Sequence, residues 1–452
     1  MCVTRRLLGP AVLLLLLPAV LVSAQNFCEI KPTPQQVAWQ DLEFGVLVHF
    51  GPNSFTDREW GDGKADPSVF DPKELDAEQW VLAAKAAGAR YLVLVAKHHD
   101  GFCLWPTRQT DYSVGSSPWR GGKGDLVREV ERAARKHGLK FGVYLSPWDR
   151  HEASYKDNRA YDLFYRRQLH ELITRYGEIV ELWLDGAGSE GHVYDFESYV
   201  RELRTYQPNT LIFADTGFVP WGDLRWVGNE EGYAREENWN VIDRVGYLRW
   251  RPAEVDTPLR EAHWFWHPND EKSLKPLDRL IETYHRSVGY GAQLMLGLAP
   301  DNRGLMPESD VTRLREFGEA IRRIYAANLA VRAVAVADGP GAAALAADGD
   351  QDSSWSAPAD ARSAVLTLSF KTPATFDRAV VMEFLNDGQL IHKYDIQVAE
   401  GKGWRTVAAG TSIGHKKIDL FAPVTAVAVR LRVLAAAGPP RIREFQLYNG
   451  GR

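Results

Sequence analysis

Polar side chains of the types used in acid, base and nucleophilic catalysis stand at the ends of short apolar runs in this sequence. Asp185 follows residues 179–184, an apolar run typical of a buried parallel strand, and Gly186 and Gly188 interrupt the chain directly afterwards. Trp183 shares its side of the strand with Asp185, because alternate residues point the same way. A carboxylate beside an aromatic face suits chemistry on a sugar ring. The alternative is that Asp185 caps the following helix.

Three earlier apolar runs also end in polar residues. His49 ends the first, His98 and His99 end the second, and Tyr144 lies near the end of the third. A single histidine at a strand end is more often structural than catalytic, but successive polar strand ends favour one shared site. Because His98 and His99 are adjacent, a regular strand would point them to opposite faces. No metal-binding motif accompanies them, so we expect no catalytic metal.

A second group of carboxylates occurs in the segment Gly228-Asn-Glu-Glu-Gly232, where Glu230 and Glu231 follow another short apolar run. Glycoside hydrolysis needs two carboxyl groups, one that attacks or stabilises and one that donates a proton. This segment could supply the second group, and a solvated acidic loop is the alternative. Spacing alone does not choose between the two glutamates.

Short apolar runs alternate with amphipathic segments from Phe44 to Asn328. The alternation predicts strand–helix units and, most simply, an α/β fold of the (β/α)₈-like (TIM) barrel type, whose active site lies at the carboxyl ends of the strands. The predicted strands are residues 44–50, 91–96, 141–145, 179–184, 211–214, 224–227, 262–267 and 293–298. The predicted helices are residues 77–87, 125–137, 161–176, 196–206, 274–289 and 310–327.

The seventh predicted strand, residues 262–267, contains two tryptophans. On a strand, Trp264 and Trp266 share one face and could line the same pocket as Asp185. Packing in the core explains them equally well while the register of this segment is unknown.

The amino-acid composition and the pattern of apolar residues change near residue 330. Residues 331–350 are rich in Ala, Gly and Asp and predict a linker or the start of a second domain. Residues 351–452 contain short alternating strands separated by Gly, Asp and Pro turns, as in an all-β sandwich. We therefore expect a catalytic barrel over residues 25–330, followed by the sandwich.

Composition and the N-terminal segment restrict the class of protein. The net charge of -5 offers no basic surface for nucleic acid, and 15 Trp are many for 452 residues, which suits sugar handling. Residues 1–24 have the charged, apolar and small-residue regions of a signal peptide, and no later stretch is long and apolar enough to span a membrane. We expect a secreted protein, extracellular or vacuolar or lysosome-like, whose Cys28 and Cys103 permit a disulfide without demanding one.

Four motifs, in this order, resemble those of α-L-fucosidases of glycoside hydrolase family 29. They are Val48-His-Phe-Gly-Pro52, Lys97-His-His-Asp-Gly-Phe102, Tyr144-Leu-Ser-Pro-Trp148 and Leu182-Trp-Leu-Asp-Gly186. The resemblance covers about residues 43–328. It implies a retaining exo-glycosidase that removes terminal α-L-fucose from oligosaccharides and glycoprotein glycans without a cofactor.

The resemblance also implies roles for individual residues. Asp185 matches the nucleophile, and Glu230 matches the acid/base, with Glu231 as the runner-up. Retaining chemistry places two such carboxyl groups roughly 5–5.5 Å apart. The matched positions that would bind substrate or line its pocket are His49, Glu59, Trp60, His98, His99, Tyr144 and Trp183.

The segment Gly228-Asn-Glu resembles the subgroup that is selective for α-1,3- and α-1,4-linked fucose. An α-1,2-specific or broad-specificity fucosidase is one alternative. A non-hydrolytic, lectin-like protein that binds fucose is another.

The C-terminal region resembles a second known type of domain. Residues 348–355, 410–416 and 445–448 resemble the discoidin-like β-sandwich that follows the barrel in plant-type α-L-fucosidases, which would place a plant protein in the apoplast. The resemblance implies that the acidic turn beginning at Asp348 could hold a structural calcium ion. Sugar binding and a purely structural lid are both open roles for this domain.

Overall fold

The structure is a computed structural model that describes residues 29–189, 191–214, 222–243, 248–339 and 341–451. Eight parallel strands form a nearly closed barrel: β1 (Phe44–Val48), β2 (Tyr91–Lys97), β3 (Lys140–Leu145), β4 (Glu181–Leu184), β5 (Leu211–Ala214), β6 (Arg225–Trp226), β9 (Ala253–Pro258) and β10 (Gln293–Leu298). Their order is β5-β4-β3-β2-β1-β10-β9-β6. A parallel bridge between Phe213 and Leu224 brings the two edges together. The predicted (β/α)₈-like barrel is thus confirmed.

Helices cover the outside of the barrel. They are α1 (Pro34–Gln40), α2 (Asn53–Thr56), α3 (Ala77–Ala87), α4 (Leu126–Lys136), α5 (Asn158–Arg175), α6 (Phe196–Tyr206), α7 (Leu277–Ser287) and α8 (Glu308–Ile324). A short antiparallel pair of strands, β7 (Val241–Asp243) with β8 (Leu248–Trp250), lies between β6 and β9 in the chain. Helix α3 shows why the sequence forms these segments. The Asp76 carboxylate accepts bonds from two amides at its start, and Gly88 ends it in the left-handed conformation.

The barrel strands are buried on both faces, and this explains their nearly continuous apolar sequence. In β2, alternate residues face the barrel interior and the others pack under the surrounding helices. The interior cluster consists of Trp39, Leu47, Tyr91, Val93, Val95, Tyr144, Trp183, Leu211, Phe213, Leu224 and Met295. This interior is filled with side chains, so open space is left only at the strand ends.

The predicted seventh strand is wrong. Residues 262–267 form a loop, and the strand in that place is β9, which precedes it. The reason is physical: Glu254 and Asp256 of β9 are both buried, so this strand does not look apolar in the sequence. The polar side chains of β9 weaken the apolar pattern expected of a buried strand, whereas the aromatic residues of the following loop resemble such a pattern.

Two of the buried acids in the barrel interior interact directly. Glu181 of β4 and Glu254 of β9 are both buried, and each carboxyl group influences the pKa of the other. The Trp39 indole donates to Glu181 Oε2 (2.8 Å), and the Tyr91 hydroxyl donates to Glu254 Oε2 (3.3 Å). Burial raises the pKa of Glu181 to about 7 and raises the pKa of Glu254 well above its ordinary value.

This carboxyl pair predicts a stability that depends on pH. Between the unfolded pKa of about 4.3 and the raised folded values, the folded state binds more protons, so stability falls as pH rises. Between about pH 5 and pH 8, the free energy of unfolding should fall in both proteins. We expect the fall to be smaller in Glu254→Gln than in the wild type, by on the order of 1–3 kcal/mol. Thermal unfolding at both pH values measures this. Glu178→Gln, at an exposed position, is the control, and equal pH slopes in wild type and Glu254→Gln would contradict the prediction.

The C-terminal domain is the predicted β-sandwich. Its strands are β11 (Val334–Ala337), β12 (Trp355–Ser356), β13 (Ala364–Glu383), β14 (Ile391–Glu400), β15 (Gly403–Gly410), β16 (Lys417–Ala436) and β17 (Arg441–Tyr448). They pair antiparallel in the order β12-β17-β13-β16-β14-β15, with β11 on β13. Strands β13 and β16 each run for 20 residues with register shifts, so they are longer than the short strands that the sequence predicted. Residues 331–350, expected to be a linker or the start of this domain, contribute β11.

Charged and polar side chains join the sandwich to the barrel near the start of β1. Asp41 accepts hydrogen bonds from Arg443 Nη1 (2.5 Å) and His415 Nε2 (2.9 Å), and Lys416 pairs with Glu43. His415 is 5% exposed. Buried ion pairs of this kind fix geometry more than they add stability.

Several expectations concern single residues or the chain ends. The signal peptide over residues 1–24 and the residue Cys28 lie outside the described residues. Cys103 is a buried free thiol that accepts a hydrogen bond from Gln168 Nε2 (3.3 Å). In the described part of the chain, no helix is long and apolar enough to cross a membrane.

The acidic turn of the sandwich uses its carboxylates within the turn. Asp348 Oδ1 accepts from the amide of Asp350 (2.9 Å), and both of its oxygens accept from the Ser353 hydroxyl. Among the described residues, no group of three His, Cys, Asp or Glu side chains is arranged to hold a metal ion. Calcium binding at this turn stays an untested prediction.

Candidate active site

A pocket of about 370 Å³ opens at the carboxyl ends of the barrel strands. It is lined by Leu47, His49, Glu59, Trp60, His98, His99, Tyr144, Trp183, Asp185, Ala187, Phe213, Trp226, Glu230, Asp256, Ala262 and Trp264. Ten of the twelve candidate residues from the sequence lie here. The other two, Glu231 and Trp266, do not line it. The pocket thus collects side chains from strand ends that are far apart in sequence.

Asp185 lies directly after β4, with 22% of its side chain exposed. Its Oδ2 accepts a hydrogen bond from the Tyr144 hydroxyl (2.8 Å), and its Oδ1 accepts one from the amide of Ala187 (2.9 Å). Burial raises the pKa of this carboxyl group, and those two hydrogen bonds oppose the rise. The Ala187 amide is available because the chain turns after Asp185, with Gly188 at φ +73°. Asp185 is thus a fixed carboxylate whose orientation two donors set.

His99 is a neutral hydrogen-bond acceptor towards the pocket. The Ser146 hydroxyl donates its one hydrogen to the carbonyl of Trp148 (2.7 Å), so it must accept from His99 Nδ1 (2.8 Å). Burial lowers the pKa of His99 to about 3. The Nε2 atom, 3.5 Å from Asp185 Oδ2, therefore carries a lone pair rather than a proton. It can accept a hydrogen bond from a ligand hydroxyl group.

His98 and His99 both line the pocket, so the prediction that they face opposite sides is wrong. Strand β2 ends at Lys97, and its alternation ends there too. The buried ion pair between Lys97 and Asp149 (2.9 Å) fixes this end of the strand. The rings of His98 and His49 are 5.6 Å apart, and burial lowers the pKa of each well below its ordinary value. Both imidazoles are therefore neutral binding groups.

The loop after β6 brings Glu230 to the pocket and leaves Glu231 outside it. The Thr257 hydroxyl donates to the carbonyl of Glu230 (2.7 Å) and accepts from Lys275 Nζ (2.7 Å). Although the Glu230 side chain is exposed at the rim, partial desolvation raises the pKa of its carboxyl group, and the negative charges of Asp185 and Glu59 raise it further. A hydrogen bond from Trp264 and the charge of Lys275 oppose the rise.

Glu59 shapes another part of the pocket rim. Its carboxylate accepts from the backbone amides of Trp264 (2.6 Å) and Phe265 (3.3 Å), and it contacts His267 Nε2 at 3.1 Å. These contacts hold residues 262–267 as a loop whose Trp264 enters the pocket. Because the segment is not a strand, Trp266 does not share the face of Trp264, which corrects the expectation that both line the pocket.

Sequence reasoning missed several residues that line the pocket. The most significant for chemistry is Asp256, a buried acid of β9 whose pKa is raised by burial and by the negative charge of Glu230. The alternation of Glu254 and Asp256 with Val255 and Thr257 could have indicated a strand with a polar inner face. Leu47 and Phe213 lie on predicted strands, but their apolar side chains gave no functional signal.

This arrangement suits acid–base and nucleophilic chemistry on a polyhydroxylated ligand. Asp185 and Glu230 share the pocket, and the negative charge of Asp185 raises the pKa of the Glu230 carboxyl group. Neutral histidines and aromatic rings make up most of the other walls. The Trp183 ring stacks on Phe213 with centroids 3.7 Å apart, which gives the pocket a rigid aromatic side.

Comparisons with known proteins agree with this site. The family described as Alpha-L-fucosidase matches residues 22–324, and the F5/8 type C domain matches residues 330–445. Alpha-L-fucosidase 1 of Arabidopsis thaliana is 38% identical over 93% of this chain and 88% of its own. Plasma alpha-L-fucosidase of Rattus norvegicus is 25% identical over 64% of this chain and 68% of its own.

A solved structure extends the likeness to both domains. The family 29 glycoside hydrolase fucosidase of Ruminococcus gnavus, in complex with fucose, superposes with a TM-score of 0.86 at 27% identity. The match covers 94% of this chain and 96% of that one. Together with the family match over the barrel and the shared order of barrel and sandwich, these likenesses show that the chain belongs to the α-L-fucosidase family, glycoside hydrolase family 29.

Proposed function

We propose that this α-L-fucosidase is a retaining exo-glycosidase in which Asp185 is the nucleophile and Glu230 is the acid/base. The observation that carries the proposal is the shared pocket, in which the two carboxyl groups have unlike surroundings. Tyr144 and Ala187 donate hydrogen bonds that favour the carboxylate form of Asp185. The charges of Asp185 and Glu59 favour a proton on Glu230.

In the first step, Asp185 attacks the anomeric carbon and forms a glycosyl ester, while Glu230 gives its proton to the departing glycosidic oxygen. The ester removes the negative charge of Asp185. Because that charge had raised the pKa of Glu230, the pKa now falls. Glu230 is then suited to act as a base, take a proton from water and direct the water to the anomeric carbon.

The shape of the pocket favours a single terminal sugar. Its walls include the buried side chains of Leu47 and Phe213, and the filled barrel interior closes it from below. Fucose has hydroxyl groups on its ring and a methyl group at C5. Neutral His49, His98 and His99 can bind the hydroxyl groups, and the apolar wall can accept the methyl group.

The linkage that we propose is α-1,3 or α-1,4. Support comes from the sequence Gly228-Asn-Glu, which resembles the subgroup with this selectivity, and from the position of Glu230 in the pocket. The proposed substrates are fucosylated oligosaccharides and glycoproteins. The signal-like residues 1–24 support secretion, with the apoplast as the destination if the source is a plant.

Proton NMR of the released fucose tests this proposal. With a branched Lewis-type trisaccharide as substrate, two displacements should give α-fucose first, followed by slow mutarotation to the β anomer. A matched 2-linked fucoside should be cleaved at least about tenfold more slowly if the site is selective.

The other outcomes each identify an alternative. β-Fucose as the first product would show a single displacement and contradict retention. Equal rates on both linkages would show a broad-specificity fucosidase, and a faster rate on the 2-linked sugar would show α-1,2 specificity. Binding of the trisaccharide without release of fucose would show a lectin-like protein.

A further inference from the structure

The loop that carries Glu230 is fastened to the sandwich domain. Gln389, which is 0% exposed, projects from the sandwich to residues 238–240, where the loop ends. Its Nε2 donates to the carbonyl of Asn238 (3.0 Å), and its Oε1 accepts from Asn240 N (2.8 Å) and Nδ2 (3.0 Å). One buried side chain of the second domain thus holds this end of the loop through three hydrogen bonds.

Other sandwich residues contact the same segment. The Ser412 hydroxyl accepts from the amide of Asn238 (3.1 Å), and Lys417 Nζ lies 3.0 Å from Glu236 Oε1. The Trp239 and His392 rings are in contact, with centroids 4.8 Å apart. The sandwich therefore grips the loop along residues 236–240, shortly after Glu230.

These contacts continue back to the barrel strand that precedes the loop. Arg225 of β6 donates from Nη2 to Asn238 Oδ1 (2.5 Å) and to the carbonyl of Trp239 (3.1 Å). Asn238 Nδ2 also donates to the carbonyl of Tyr290 (2.9 Å). The start of the loop at Arg225 is thereby hydrogen-bonded to its end at residues 238–239, and Gln389 holds the same end from the sandwich side.

The loop needs such support because its own backbone is pliable. Gly228 and Gly232 flank Glu230 with φ of +92° and +88°, and Glu230 and Glu231 are both exposed. An acid/base has to lie within hydrogen-bond reach of the glycosidic oxygen, and a small displacement weakens proton transfer strongly.

We propose that Gln389 is a positioning residue for the acid/base, so that the sandwich domain takes part in catalysis by holding the Glu230 loop in place. This inference rests on the proposed role of Glu230. It assigns the sandwich a function that requires no sugar binding of its own.

Comparing two leaving groups tests the inference on the full-length chain. A Lewis-type trisaccharide needs its leaving oxygen protonated, whereas α-L-fucosyl fluoride depends much less on acid assistance. Gln389→Ala should lower kcat/KM for the trisaccharide by about tenfold and for the fluoride by less than about twofold. Gln397→Ala is the matched control, since Gln397 is also buried in the sandwich and its side chain bonds Thr406 and Arg430, away from the loop.

The outcomes separate this inference from the proposed function. An equal fall on both substrates, or no fall, in Gln389→Ala would overturn the positioning role. If Glu230→Gln lowers kcat/KM equally for the trisaccharide and the fluoride, the acid/base assignment fails and the inference fails with it. Should Gln389→Ala not fold, Ser412→Ala removes a single hydrogen bond between the sandwich and the same loop segment. In that variant kcat/KM must fall more for the trisaccharide than for the fluoride, or the inference is wrong.

Discussion

Replacing Asp185 with alanine should lower kcat/KM for both the trisaccharide and fucosyl fluoride by on the order of 10⁴-fold or more. The change removes the group that forms the covalent intermediate, and no other carboxylate has its place beside Tyr144 and Ala187 in the described pocket. The fold should remain intact, because Asp185 is partly exposed at a strand end and its burial raises its pKa, which is a cost to the folded state. Kinetics and thermal unfolding of the purified variant measure both effects.

Azide gives this experiment a stereochemical readout. In Asp185→Ala, azide can enter the vacated space and displace fluoride once, so β-fucosyl azide should form. The matched control is Asp301→Ala, since Asp301 also follows a barrel strand but does not line the pocket. Near wild-type turnover in Asp185→Ala would show that another group is the nucleophile.

Replacing Glu230 with glutamine should lower kcat/KM for the trisaccharide by about 10²–10⁴-fold while changing kcat/KM for fucosyl fluoride far less. Fluoride release should show a burst, because hydrolysis of the glycosyl ester lacks its base. The alkaline limb of the pH profile should also disappear. In the wild type this limb reflects loss of the proton whose pKa burial and the negative charges of Asp185 and Glu59 raise, so activity falls as pH rises through that pKa.

Glu231→Gln is the matched control for this change. Its side chain adjoins Glu230 in sequence but lies outside the pocket, so its kinetics should stay within about twofold of the wild type. In Glu230→Ala, azide should yield α-fucosyl azide, since both displacements still occur. A large loss in Glu231→Gln, with Glu230→Gln unaffected, would move the acid/base to Glu231.

The sequence by itself determined the barrel and most of its active-site residues. Strands buried on both faces must be apolar, so their ends stand out where His49, Tyr144 and Asp185 appear. Parallel strands bring these ends to one rim regardless of their distance along the chain. The motifs around them were specific enough to identify the family before any contact was known.

Other features were decided only by the tertiary structure. Strand β9 does not stand out in the sequence because Glu254 and Asp256 are buried inside the barrel, where apolar side chains are the rule. Asp256 was missed for the same reason. The separation of Trp264 from Trp266 depends on the contacts that Glu59 makes with a distant loop.

The choice between Glu230 and Glu231 shows the same limit most clearly. The two are adjacent and chemically identical, so no local rule distinguishes them. Thr257 and Lys275 of the barrel hold the backbone at Glu230, and Gln389 of the sandwich holds the end of its loop. Side-chain direction on a glycine-bounded loop follows from such long-range contacts, and a linear sequence does not contain them.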